Sequence, residues 1–97
     1  MRALFDSEAH AVRIDLVDPP HEAASWADSN TYPILPHYDA DDRLIAVEIL
    51  YADTLSEEEV VTALTGLDLD IPTLLAAWRA GVAASDREVV VGPAIPA

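Results

Sequence analysis

Glu48 and His37 are the side chains whose types and settings could do acid–base chemistry. Glu48 stands mid-strand in Arg43–Tyr51, on a face shared with Leu44, Ala46 and Leu50. A carboxylate among aliphatic neighbours is paired, exposed, or raised in pKa by desolvation; the last would make it a poised base. The structural alternative is a cross-strand pair with an arginine such as Arg13. His10, His21 and His37 fall in three separate segments without His-x-His or His-x-x-x-His spacing, so no metal is expected. Asp39, Asp41 and Asp42 crowd one stretch but lack the glycine and distal glutamate of an EF-hand loop, and read as turn formers.

The aromatic residues offer contact area. Trp26, Tyr38 and Tyr51, together with Glu48, are the expected ligand or partner contacts, because tyrosine and tryptophan combine apolar area with a polar tip. Tyr32 and Trp78 are the remaining tyrosine and tryptophan, and Trp78 reads as core. With three glycines and no Gly-x-Ser-x-Gly elbow or phosphate loop, nothing argues positively for catalysis, and no cofactor is expected.

Eighteen acidic residues face five arginines and no lysine, for a net charge of −13. Such a field repels nucleic acid and anionic lipid and favours a basic protein partner. There is no cysteine, which removes disulfides and thiolate chemistry. The opening residues turn polar too early for a signal peptide, and no apolar run nears the roughly 18 residues a membrane span needs. A cytoplasmic protein is the expectation.

The elements that must position these residues read as follows. Ninety-seven residues at 52% hydrophobic content fit one α+β domain over 1–97. Residues 1–53 form an antiparallel sheet region, 54–84 two helices, and 85–97 a short strand or loose tail. Arg2–Asp6 leads through an Asp-Ser-Glu turn into Ala11–Val17, where Val12, Ile14 and Leu16 alternate with Arg13 and Asp15, the period of a half-buried strand. Ala23–Ala27 is a third strand. Thr31–Asp39 is a fourth, expected to be bulged or partly paired because it holds Pro33 and Pro36. Arg43–Tyr51 is apolar on both faces and should be central. That makes about five strands. Ser56-Glu57-Glu58-Glu59 is a capping box opening one helix, which Gly66 should end in the left-handed conformation. Asp68 or Asp70 caps a second helix with Pro72 in its first turn and an apolar face of Ile71, Leu74, Leu75, Trp78 and Val82. With both helices on one sheet face, the other face of Arg43–Tyr51 calls for a second subunit, so a two-fold homodimer is expected.

Two stretches carry a family likeness: Phe5-Asp6-Ser7-Glu8-Ala9-His10-Ala11-Val12-Arg13-Ile14-Asp15-Leu16, and Leu35 through Ala52 with its Asp-rich turn, Arg43-Leu44 strand start and Ile45-Ala46-Val47-Glu48-Ile49-Leu50 run. They resemble the domain-of-unknown-function family 2283, small and mostly bacterial proteins. The resemblance covers about residues 2–52 and leaves the helices outside. It implies a small sheet fold and no mechanism. Family members usually carry glycine where this chain has Asp42.

Three functions compete: an interaction or regulatory module that neutralises a basic partner, a small-molecule binder or small enzyme with a pocket between sheet and helices, and a self-assembling structural domain. The first fits the charge and the missing catalytic motifs best.

Overall fold

The computed structural model describes residues 1–18, the backbone of 25–26, and 32–92. His21, the side chain of Trp26 and the tail beyond 92 lie outside the described residues. Five strands precede two helices, and a sixth follows: β1 (Arg2–Asp6), β2 (Ala11–Asp15), β3 (Ser25–Trp26), β4 (Ile34–Tyr38), β5 (Leu44–Leu50), α1 (Glu57–Leu64), α2 (Ile71–Ala84) and β6 (Val89–Val90). They form one sheet in the order β3-β4-β5-β2-β1-β6, antiparallel throughout. The architecture is α+β, as the patterning implies, and the segment after α2 completes the sheet. Val89 and Val90 pair with Ala3 and Arg2, and the Met1 ammonium donates to the Gly92 carbonyl at 3.0 Å.

Alternation sorts the strands into two faces. Ala3 and Phe5, opposite Ile14 and Val12, lie in register with Val47 and Ile49, and these with Pro36 and Ile34. This face meets the helices: Leu64, Leu74, Leu75, Ala77 and Trp78 join it in one core. Leu64 comes from α1, which packs mainly on α2, and α2 lies over β1 and β2. Burying about six such side chains contributes on the order of 10 kcal/mol before entropy is counted. At Gly81 α2 lies tight against the sheet; a Cβ there would lie 2.9 Å from Val12 Cγ2. Trp78 is a core residue, and its indole donates to the Ala52 carbonyl at 2.8 Å.

β5 is central, between β4 and β2, but its faces depart from strict alternation. His37 pairs with Ala46 and Tyr38 with Leu44, so Ile45 is the extra residue of a bulge. Leu44 packs against the helix-side core, while Ile45 and Ala46 are buried outside it. These two, 4% and 0% exposed, are covered within one chain. The extra residue thus lies on β5 rather than on the proline-bearing β4, where the sequence placed it; among the described residues β3 pairs with His37 and Tyr38 and not with Pro36.

The helix ends follow local chemistry with one exception. Ser56 accepts from the Glu59 amide, and Glu59 accepts from the Ser56 amide at 3.0 Å, completing the capping box. Asp70 caps α2 without a side-chain bond to the helix amides; its carboxylate accepts from the Thr73 hydroxyl instead. Gly66 does not take the left-handed conformation expected of it. α1 closes through Thr65, whose amide and hydroxyl both donate to the Val61 carbonyl. An ion pair between Glu57 and Arg79 ties α1 to α2.

Candidate functional site

Two places bring together residues able to do chemistry or make contacts. The first is the sheet face opposite the helices. Register sets Leu4, Arg13, Glu48 and Leu35 in one row across four strands, with Asp15, Ala46 and His37 in the next. Arg13 Nε lies 2.9 Å from Asp15 Oδ1, and His37 Nε2 lies 4.0 Å from Glu48 Oε1. Glu48 and His37, singled out separately in the sequence, thus share one face. Burial lowers the His37 pKa from its ordinary value and the Arg13 charge lowers it further, against smaller raising effects of Glu48 and Asp15. The imidazole is accordingly neutral near pH 7. A neutral imidazole beside a carboxylate can accept a proton or orient a polar ligand.

Tyr38 is half-buried where the bulge ends β4, and Trp26 pairs with His37 through its backbone. Tyr51 is elsewhere. The chain leaves β5 at Tyr51 in the left-handed region, φ 56°, an uncommon conformation for an aromatic residue. Its ring meets Tyr32 edge-on, with centroids 6.3 Å apart and planes at 65°.

The Tyr32–Tyr51 pair marks the second place. Tyr32 is 59% and Tyr51 52% exposed. Beside them is a groove of about 320 Å³ between Tyr32 and Pro33 on one side and Glu58, Glu59, Thr62 and Ala63 of α1 on the other. Hydrogen bonding from Ser56, its backbone amide first, holds the Glu59 carboxyl below the usual range, so it stays ionised. A hydrogen bond with Tyr51, with smaller help from desolvation, raises the Tyr32 pKa, so the phenol stays neutral. The sequence marks Tyr51 as a contact residue, Tyr32 only as one of the aromatic residues, and the glutamates only as helix starters. The pairing of Tyr32 with Tyr51 carries no local signal, because it depends on how β4 and β5 align.

Among the described residues no group of three or more His, Cys, Asp or Glu side chains is placed to hold a metal ion. The Asp39 cluster is a turn: Asp39 accepts from the Asp41 and Arg43 amides at 2.9 and 3.0 Å and from Arg43 Nε at 2.9 Å. No described helix is long and apolar enough to cross a membrane. No family model, curated protein or solved structure matches the chain, so the likeness of residues 2–52 to family 2283 rests on those residues alone.

Proposed function

We propose that this chain is a small acidic interaction module that neutralises or regulates a basic polypeptide. One observation supports the reading above the rest. Four of the five arginines are already held by the chain's own carboxylates: Arg2 by Asp18 and Glu88, Arg13 by Asp15, Arg43 by Asp39 and Asp41, and Arg79 by Glu57. The positive charge is spent locally, and the surplus of −13 is what an approaching molecule meets. Complementary charge of this kind speeds encounter and selects partners more than it sets final affinity, so apolar anchors must supply the rest.

A second reading has its own observation. The approach of His37 to Glu48 suits a polar small molecule seated on the sheet face. A homodimer without other partners is the third.

One measurement separates them: native mass spectrometry of the protein purified gently at low salt from the cells that make it. The expected result is a complex with a lysine- or arginine-rich polypeptide that dissociates as salt rises. A small added mass would replace this reading with the second, and a bare homodimer with the third.

A further inference from the structure

We infer that the groove between Tyr32 and α1 receives an arginine side chain of the basic polypeptide, an inference that rests on the interaction-module reading and adds where and how the partner is held. An acidic helix start alone would not make such a site. The aromatic wall does, together with the way it is fixed. Tyr51, itself in the left-handed region at the end of β5, meets the Tyr32 ring edge-on, so the two rings already stand against one another in the unbound chain. Two exposed rings held against one another bind with less loss of freedom than two mobile ones.

The chemistry of the walls selects the occupant. A cation over a tyrosine face is attracted by the ring, and a guanidinium also stacks as a plane. Across the groove Glu58 and Glu59 offer carboxylates to its N–H groups. Glu59 is already oriented by Ser56, and Glu58 makes no ion pair among the described residues. The α1 dipole opposes a cation with about half a charge at its N-terminus. Two facing carboxylates outweigh it, and the capping box already engages the Glu59 and Ser56 amides. The exposure of Tyr32 leaves the groove open along one side, which suits a side chain arriving from a partner's surface better than an enclosed ligand.

The probes are blocked tetra-arginine and tetra-lysine peptides, titrated at low salt into the isotope-labelled full chain and followed by NMR. Tetra-arginine should shift the Tyr32, Tyr51 and Glu58 signals and bind more tightly than tetra-lysine. Tyr32→Ala should weaken it about five- to tenfold and Glu58→Gln about threefold. Asp42→Asn removes the same charge at the opposite end of β5 and should change affinity less than twofold. Thermal melts confirm that each variant is folded. If Asp42→Asn weakens binding as much as Glu58→Gln and Tyr32→Ala does nothing, the attraction is a diffuse field; the groove assignment falls while the acidic-module reading stands. Equal affinity for tetra-lysine overturns the preference for a guanidinium. Absence of binding by either peptide overturns the groove and counts against the module reading too.

Discussion

Arg13 stands directly opposite Glu48 in the β2–β5 register, yet its guanidinium binds Asp15, two residues along its own strand, at 2.9 Å. Residues i and i+2 of a strand share a face, and the Asp15 side chain is only 15% exposed, which keeps its carboxylate close to Arg13. Glu48 is left to approach His37. The expected cross-strand pair is thus replaced by two contacts, one along a strand and one across to β4, and the electrostatics of His37 depend on both.

A pH dependence follows. Burial and Arg13 hold the His37 pKa below its ordinary value of 6.5, so the unfolded chain takes up a proton more readily than the folded one. The stability this contributes is complete above the unfolded pKa and is lost as pH falls through that value towards the folded pKa. Asp39, Glu59 and Asp86 have lowered pKa values, and their contributions are lost only further into acid, below the ordinary carboxylate values of 3.8 to 4.5. Urea midpoints should therefore fall between pH 7 and 5.5 in the parent chain and much less in His37→Gln. An identical slope in the two would show that His37 is not responsible. In NMR titrations Arg13→Met should raise the His37 pKa and Glu48→Gln should lower it.

Gly81 should resist replacement although it lies inside a helix. Alanine gains about 1 kcal/mol of helix propensity over glycine. Its Cβ would press Val12 Cγ2 at 2.9 Å and Ala3 Cβ at 3.3 Å, and overpacking a core of this kind costs about 1–3 kcal/mol. Gly81→Ala is expected to destabilise by about 1 kcal/mol in urea denaturation. In a Val12→Ala background the same change should be neutral or stabilising; a loss of equal size there would mean that the contact with Val12 is not the cause.

Asp42 behaves in the opposite way. It occupies the left-handed region, φ 60°, in the turn whose hydrogen bonds are gathered by Asp39, and its own amide donates to the Asp39 carbonyl. A residue with a Cβ held there costs about 1 kcal/mol, of which glycine recovers part and returns part as unfolded-chain entropy. Asp42→Gly should stabilise by about 0.5 kcal/mol and leave β4 and β5 in register. A lower melting temperature would show that the Asp42 side chain supports the turn.

Features encoded over a few residues were legible in the sequence. The alternation of Val12, Ile14 and Leu16 marks β2, and Ser56 with Glu59 marks the start of α1. The spacing of Leu74, Leu75 and Trp78 marks the buried face of α2. Features that depend on alignment between distant segments were not. Strict alternation in Leu44–Leu50 assigns Leu44 to the wrong face, because only pairing with β4 shows that Ile45 is the extra residue. Gly66 misleads for a related reason: Thr65 closes α1 through its own hydroxyl, so no left-handed residue is required. Glu48 and His37 were legible as types but not as neighbours, and Tyr32 and Tyr51 as aromatic residues but not as a pair.

The place of α2 over β1 and β2 has a consequence for synthesis on the ribosome. The first hairpin can close its backbone bonds as soon as it emerges, but the apolar side of Ala3, Phe5, Val12 and Ile14 stays uncovered until α2 follows, after every other strand except β6. The nascent chain has no early intermediate with a finished core. Folding is therefore held back until nearly all of the described chain is out, when one late docking step covers the first strands made.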